Sequence, residues 1–488
     1  MRRPVSLAVL LFVLVSCRPV AVVDRRVIAT ETPSPLRELE STFSPGLSKQ
    51  WQSVPLDLAG ATYYEIDLVL DSDLAEYAGR QIVHYRNNES VSLDEVAFIL
   101  FPRMLGGEMT VSDTTVDGAP AQSAMDDALP VLKVHLPAPL APQQGVDIGL
   151  RFSGRVADST SINFGVQAFS DGVLALAHFY PTVPVYAEQG WDVEIPPPSG
   201  DVTFNDAAFY MVSVDAPADL VVVASGVEVA RKSQDNRQLV TFAAGPARDF
   251  YLAASSDFQE HRLQVGDVIV TYHAGPEQAS ATDSVLAYAA AALELFGRRF
   301  GPYPYTELDI VGTPTQALGI EYPGVVALAD RILEPDDPRL EPTVVHEVAH
   351  QWFYNLVGND QLGEPWLDEA LAQYATLLYF EAIYGKDGGT VFRHDLEARW
   401  ERVDRARIPV GLPVAAYSGQ EYGAIVYGRA PLFFDELRAD LGDQAFGAFL
   451  REYVRRFAWG IATADGLQEE AEAAAGHDLT PLFESWVY

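Results

Sequence analysis

The chain divides into two halves by the spacing of its hydrophobic positions. From about residue 63 to 258, apolar and polar residues mostly alternate, which is the pattern of strands with one buried face. Turn-forming pairs such as Asn87-Asn88 and Asp117-Gly118 interrupt the alternation. The pattern therefore predicts an antiparallel β domain over residues 56–265. Its clearest strands are predicted at 64–70, 81–85, 96–100, 148–152, 209–214 and 239–242.

Helical spacing dominates after residue 266. One further strand is predicted at 268–272, and a helix with an alanine-rich face follows over 283–299 and ends at Gly301-Pro302. The sequence thus predicts a multidomain α+β protein whose second domain, residues 266–488, is mixed α/β and mostly helical. Its other predicted elements are strands at 308–312 and 324–328 and helices at 342–357, 365–384 and 432–457.

The first residues have the pattern of a targeting signal rather than of a folded element. A basic start, Met1-Arg2-Arg3, precedes an apolar stretch over 7–15, which is shorter than the roughly 20 residues of a spanning helix. Together with Cys17, residues 1–16 resemble a bacterial lipoprotein signal. The resemblance implies cleavage before Cys17, lipid attachment to its sulfur, and an extracytoplasmic protein anchored to a bacterial membrane. An ordinary secretory signal with an incidental cysteine is the alternative.

Residues 17–55 are rich in proline and show no sustained periodicity. They are expected to form a flexible tether between the lipid anchor and the folded domains. The alternative is that the end near Trp51 already belongs to the first domain.

Charge and cysteine content narrow the possible functions. The 488 residues include 33 Lys and Arg against 68 Asp and Glu, which gives a net charge of −35. A polyanion of this size is repelled by phosphate backbones, so nucleic-acid binding is excluded as the main function. Cys17 is the only cysteine, so any metal site must be built from histidines and carboxylates.

The stretch most suggestive of chemistry is His346-Glu347-Val348-Ala349-His350. Two histidines four residues apart share one face of a helix and can reach one zinc ion at about 2.0–2.1 Å. Glu347 can lie over a bound water without binding the metal. Gly358 and Gly363-Glu364-Pro365 break the helical pattern, so a turn there would bring Glu369 against the histidine pair. Three protein ligands leave one position open, which is typical of a catalytic zinc site.

Two stretches carry a family resemblance: His346-Glu347-Val348-Ala349-His350-Gln351-Trp352-Phe353-Tyr354-Asn355 and Trp366-Leu367-Asp368-Glu369-Ala370-Leu371-Ala372. They resemble motifs of the zinc aminopeptidases related to aminopeptidase N, a gluzincin family that includes the leukotriene epoxide hydrolase. The resemblance implies one zinc ion bound by His346, His350 and Glu369, with Glu347 as the general base. It also implies a thermolysin-like catalytic domain after a β domain, and a short form without the long C-terminal helical domain of many relatives.

A third stretch, Leu318-Gly319-Ile320-Glu321-Tyr322-Pro323-Gly324, is similar to the family's substrate-binding strand. In the family, the glutamate of this strand holds the free amine of the substrate. The resemblance therefore implies substrate-binding roles for Gly319, Glu321 and Tyr322. The family's asparagine falls at Tyr322, so the match is incomplete. Because glycine and proline surround Glu321, a turn carboxylate is the alternative interpretation.

A fourth stretch, Tyr422-Gly423-Ala424-Ile425-Val426-Tyr427-Gly428-Arg429-Ala430, is similar to the family's oxyanion-binding segment. The resemblance implies that Tyr427 donates a hydrogen bond to the oxyanion, with Tyr422 nearby. Arg429 stands where the family has lysine. Buried core tyrosines are the alternative interpretation.

Together these features predict a lipid-anchored zinc aminopeptidase that acts on peptides with a free N-terminus outside the cytoplasm. Two alternatives stay open. One is a zinc hydrolase of different scope, either an endopeptidase or an epoxide-hydrolase-like enzyme. The other is a non-catalytic surface-binding lipoprotein with the same fold.

Overall fold

The computed structural model describes residues 35–157, 159–161, 163–187, 190–197, 200 and 203–488. Cys17 and the signal predicted over residues 1–16 lie outside this part of the chain. Among the described residues, no helix is both long and apolar enough to span a lipid bilayer.

The first half of the described chain is built from strands. In chain order they are β1 (Tyr63–Leu70), β2 (Glu76–Arg86), β3 (Leu93–Ile99), β4 (Glu108–Val116), β5 (Ala119–Pro120), β6 (Ser123–Met125), β7 (Val131–Leu140), β8 (Gly145–Arg155), β9 (Gln167–Ser170), β10 (Val173–Ala177), β11 (Tyr186–Ala187), β12 (Gly190–Trp191), β13 (Ala208–Pro217), β14 (Val221–Ala224), β15 (Val227–Gln234), β16 (Arg237–Ala247) and β17 (Tyr251–Ser255). The largest sheet has the order β15-β16-β13-β1-β2-β8-β4-β5, and smaller sheets have the orders β14-β17-β10-β9, β3-β7-β6 and β11-β12. The alternating burial of strands such as β8 accounts for the period-two pattern.

The prediction of an antiparallel domain is correct for most of these pairs and wrong for one. β1 and β13 run parallel, with Tyr63 opposite Phe209. Hydrophobic alternation shows which face of a strand is buried but carries no information on strand direction, so the sequence pattern could not reveal this pair.

The second half of the chain contains one sheet and most of the helices. Its strands are β18 (Gln259–Val265), β19 (Val268–Ala274), β20 (Glu307–Thr313), β21 (Gly319–Tyr322) and β22 (Val325–Ala329). They form one sheet in the order β18-β19-β20-β22-β21, in which β21 is an edge strand. β18 lies within the β domain predicted over residues 56–265 but pairs with β19 of this sheet.

The α-helices of the described residues are α1 (Pro35–Phe43), α2 (Val54–Asp57), α3 (Phe101–Met104), α4 (Thr282–Arg299), α5 (Leu340–Ala349), α6 (Trp366–Glu401), α7 (Gly419–Ala424), α8 (Ala430–Leu441), α9 (Asp443–Phe457), α10 (Ala464–Ala475) and α11 (Thr480–Trp486). Two predicted helices need correction. The helix predicted to Val357 ends at Ala349, and the helix predicted over 432–457 is two helices separated by Gly442, whose φ is +78°. An N-terminal β region followed by a mostly helical mixed domain is the fold class that the sequence predicts.

The tether predicted over 17–55 is not a free linker through its C-terminal part. Phe43 packs against Phe209, with ring centroids 4.8 Å apart. Leu47 forms a β-bridge with Tyr305, and the indole of Trp51 donates to the Pro302 carbonyl at 3.2 Å. These apolar side chains gain more from burial against both domains than from solvent exposure.

The two halves pack against each other through the sheet that carries β21. A hydrophobic cluster joins β10, β14 and β17 of the first half to β20, β21 and β22 of the second. Its centre is the pair Tyr251 and Tyr322, whose rings are stacked with centroids 3.9 Å apart. The β region thereby fixes the position of the edge strand that borders the candidate site.

Candidate active site

His346, His350 and Glu369 converge on one point. Nε2 of His346 lies 3.2 Å from Nε2 of His350, and the two nitrogens lie 3.2 and 3.6 Å from Oε2 of Glu369. The histidines come from one face of the end of α5, and Glu369 comes from the first turn of α6. The helix, break and second helix that the sequence predicts therefore do bring the three side chains together.

The geometry of this triad fits a single zinc ion. Two donors each about 2.05 Å from a tetrahedral ion lie about 3.3 Å apart, which agrees with the donor separations here. Two imidazole nitrogens and one carboxylate oxygen are a donor set that suits zinc. Both histidines and Glu369 are buried, so the three donors need one another or a metal as partners. Burial acts to raise the pKa of Glu369, but hydrogen bonds from His346 and His350 lower it well below its usual range.

The turn that follows His350 orients its ring. Nδ1 of His350 lies 2.8 Å from the Phe353 carbonyl, so it carries the proton and leaves Nε2 free for a metal. A buried arginine from the β region, Arg248, donates to the carbonyls of Tyr354, Asn355 and Leu356. These bonds stabilise a non-helical path in which Tyr354 has a φ of +130°. These hydrogen bonds from Arg248 explain why the helix ends at Ala349 and not at Val357, where the periodicity predicts its end.

Glu347 points to the side of the triad that faces β21. One carboxylate oxygen each from Glu347 and Glu321 and a ring nitrogen of His350 lie within 4.8 Å of one another. Burial raises the pKa of the Glu347 carboxyl well above its usual range, and the nearby Glu321 adds to the rise. A buried carboxylate with a raised pKa is suited to take up a proton at neutral pH.

Gly319 leaves room for Glu347. A Cβ atom at position 319 would lie 2.4 to 2.5 Å from the carboxyl group and Cγ of Glu347. Gly319 thus has a steric role in addition to the substrate-binding role that the family resemblance implies. Because the clash is with a side chain and not with backbone, the fold can accommodate it by displacing Glu347.

Gly319→Ala is therefore expected to lower kcat about tenfold or more with little loss of stability, because a displacement of about 1 Å at a catalytic group is costly. Steady-state kinetics and thermal unfolding would measure both effects. Gly297→Ala in α4 is the matched control, since no atom lies within 4 Å of its added Cβ. A variant with normal kcat would show that Glu347 need not occupy its present position.

Glu321 and Tyr322 differ in what they present to the site. Glu321 is buried beside Glu347, and burial raises the pKa of its carboxyl, an effect that His350 opposes. The ring of Tyr322 stacks on Tyr251 and is 4% exposed. The substrate-binding role predicted for Tyr322 is therefore limited to its backbone, since the phenol lies in the interdomain core.

Tyr427 also reaches the triad. Its hydroxyl donates to Oε1 of Glu369, and its ring lies 5.7 Å from that of Tyr422. Tyr427 stands on a π-helical turn, Ile425–Arg429, a local widening that is frequent at functional sites. Arg429 anchors this turn by donating to the carbonyls of Ile408, Ser485 and Trp486.

Sequence reasoning missed a group of buried polar residues that surrounds Glu321. Gln361 donates to Glu321 and to Asp368, and the hydroxyl of Thr203 donates to Gln361. Burial raises the pKa of Asp368 to about 7, and the neighbouring Glu369 adds to the rise. The available signals were the position of Gln361 between the two metal-ligand motifs and that of Asp368 within the second. No sequence signal connects either residue to Thr203.

Comparison with known proteins agrees with this geometry. Residues 285–486 match the family described as Peptidase family M1 domain. The chain is 25% identical to Aminopeptidase M1 of Arabidopsis thaliana, over 81% of this chain and 47% of that protein. It is 24% identical to Aminopeptidase 2 of Candida albicans, over 92% of this chain and 49% of that protein. The chain thus spans about half the length of these curated relatives.

The fold is also similar to a solved structure. A crystal structure of an M1 zinc metallopeptidase from Deinococcus radiodurans superimposes with a TM-score of 0.69 and 22% identity, covering 88% of this chain and 93% of that one. A structure of a variant of that enzyme, with a Tyr-Ser-Ala substrate bound, gives a TM-score of 0.68 over 88% and 94% of the two chains. At this identity the likeness establishes the shared fold. The similarity to peptidase family M1 therefore lies in the domain at residues 285–486, which contains the triad.

Proposed function

We propose that this protein is a zinc-dependent aminopeptidase that removes N-terminal residues from peptides outside the cytoplasm. The observation that carries the proposal is the position of Glu321. Its carboxylate lies beside Glu347 and within 4.8 Å of a histidine of the triad. A substrate ammonium group bound to Glu321 would therefore place the first peptide bond, and no later one, next to the general base.

The residues have separate roles in this reaction. His346, His350 and Glu369 would hold the zinc ion, which supplies Lewis-acid activation of water and of the scissile carbonyl when bound. Glu347 accepts the proton of the attacking water and delivers it to the leaving amine. Tyr427 donates its hydroxyl proton in a hydrogen bond to the oxyanion of the tetrahedral intermediate. Glu321 pairs with the substrate's α-ammonium group.

The experiment compares aminoacyl anilides with their N-acetylated twins, using the purified zinc-loaded protein and Glu321→Gln. We expect cleavage of the free-amine set alone. Glu321→Gln should lower kcat/KM about 10- to 100-fold, the loss of one strong charge-assisted interaction. The acetylated twin of each substrate is the matched control.

Two outcomes would contradict the proposal. Equal cleavage of acetylated substrates or of internal peptide bonds would indicate an endopeptidase or a hydrolase of wider scope. Zinc binding without turnover across a broad panel would favour a non-catalytic binding protein.

The extracytoplasmic, lipid-anchored location is also part of the proposal. It is supported by the basic start, the apolar stretch and Cys17 at the N-terminus. The acidic composition agrees with a membrane contact made through lipid and not through a basic surface.

A further inference from the structure

Gln361 is a buried side chain whose amide contacts three polar groups. It is 1% exposed. Its Nε2 donates to Oε1 of Glu321 at 3.3 Å and to Oδ2 of Asp368 at 2.8 Å. Its Oε1 accepts from the hydroxyl of Thr203 at 2.6 Å. Both N–H bonds of the amide are thus used, and its oxygen has a donor of its own.

This arrangement allows only one orientation of the amide. If the group were flipped, its oxygen would face the oxygens of two carboxylates and would leave both without this donor. A buried carboxylate without donors is costly. The orientation is therefore determined by the two acidic groups, and the hydroxyl of Thr203 adds a hydrogen bond that holds the amide oxygen in place.

Thr203 brings the β region into this arrangement. Its hydroxyl lies 3.4 Å from that of Tyr354, and Tyr354 donates to Asp249, two residues before β17. Thr203 and Asp249 belong to the first half of the chain, whereas Gln361 and Glu321 belong to the second. A continuous set of buried polar contacts therefore runs from the β region to the carboxylate beside Glu347.

We propose that Gln361 is a positioning residue for recognition of the substrate amine: it directs the carboxylate of Glu321 and is itself held in place by the hydroxyl of Thr203. This inference rests on the proposed aminopeptidase function. It assigns part of the selectivity for free N-termini to a residue that contacts no substrate. It also gives the β region, through Thr203, a share in that selectivity.

A purely structural role for Gln361 predicts a different result. The shorter of its two donor bonds goes to Asp368, whose other oxygen accepts from the backbone N–H of the metal ligand Glu369. If Gln361 acted only through Asp368, its loss would weaken zinc binding and lower kcat. If it acts through Glu321, its loss would raise KM for amine substrates and leave zinc binding intact.

The test uses Gln361→Met, which keeps the length of the side chain and removes its hydrogen bonds. Kinetics with phenylalanyl anilide would be measured alongside competitive inhibition by phenylalaninamide and by its des-amino analogue, 3-phenylpropanamide. We expect KM to rise about tenfold, with kcat changed less than about threefold and one zinc retained. The preference for phenylalaninamide over the des-amino analogue should shrink by a similar factor.

Three further variants distinguish a specific loss of amine recognition from a general loss of folding stability. Thr203→Val removes the hydroxyl that holds Gln361 and should reproduce part of the KM effect, whereas Thr203→Ser keeps a hydroxyl and should show wild-type KM. Gln238→Met removes another buried amide, one that donates to the Pro217 and Leu220 carbonyls in the β region, and should leave KM unchanged.

The inference is overturned if Gln361→Met keeps wild-type KM and amine preference, or if it loses zinc and kcat instead. A failure of the aminopeptidase function itself would be visible separately. In that case the wild-type protein would not distinguish phenylalaninamide from 3-phenylpropanamide, or free from acetylated anilides.

Discussion

Glu347→Gln is expected to lower kcat by about 10²- to 10⁴-fold, the usual contribution of a general base, with zinc binding and folding preserved. Glutamine has nearly the same shape as glutamate but cannot accept the proton of the attacking water. Glu347 is not one of the three converging metal donors, so its replacement leaves the triad intact. The substitution also removes a buried carboxyl next to Glu321, so the free energy of unfolding should not fall.

The measurement is steady-state kinetics with free aminoacyl anilides, together with zinc content and thermal unfolding of the same samples. Glu294→Gln on α4 is the matched control. Glu294 is exposed and lies 3.6 Å from Arg298, a kind of surface pair that contributes little. Near-normal kcat in Glu347→Gln would show that another group takes the proton.

His350→Phe is expected to abolish activity and stoichiometric zinc binding. Phenylalanine keeps a planar ring of similar size but offers no nitrogen. In the wild-type protein, zinc at a thousand times its Kd should raise the free energy of unfolding by about 4 kcal/mol. This stabilisation arises because the three buried donors, which face one another in the metal-free protein, each form a bond to the zinc ion.

Thermal unfolding with zinc or with a chelator would measure this effect. The informative quantity is the difference between the two conditions, because His350→Phe also loses its bond to the Phe353 carbonyl. The wild-type protein should show a zinc-dependent midpoint, and His350→Phe should show none. His477→Ala is the control, since His477 is exposed and pairs with Asp440 at the surface. Retention of one zinc by His350→Phe would contradict the assignment of the triad.

The metal triad was predictable from sequence because its geometry is largely local. Four residues of helix bring His346 and His350 onto one face whatever the surroundings. Gly358 and Pro365 mark the break that returns the chain to Glu369. The fold class was predictable for a similar reason, since hydrophobic periodicity records which face of each element is buried.

Other features depended on contacts between distant segments. The hydrophobic spacing predicts that the helix carrying His346 and His350 continues to Val357. The chain turns after His350 instead. There, Arg248 of the β region donates hydrogen bonds to backbone carbonyls that would otherwise accept from a continuing helix. The family resemblance implies a substrate-binding role for Tyr322, whose ring stacks on Tyr251 of β17 in the core between the two halves.

The sequence by itself therefore determined the two-part architecture, the convergence of the three candidate metal donors and the glutamate next to the first of them, because each follows from periodicity or short spacing. The family resemblance added the roles of Glu321 and Tyr427. Only the tertiary structure decided that Gly319 makes room for Glu347 and that Thr203 and Gln361 adjoin Glu321. Such contacts join residues far apart in the chain, and their register is decided by packing of the whole molecule and not by local pattern.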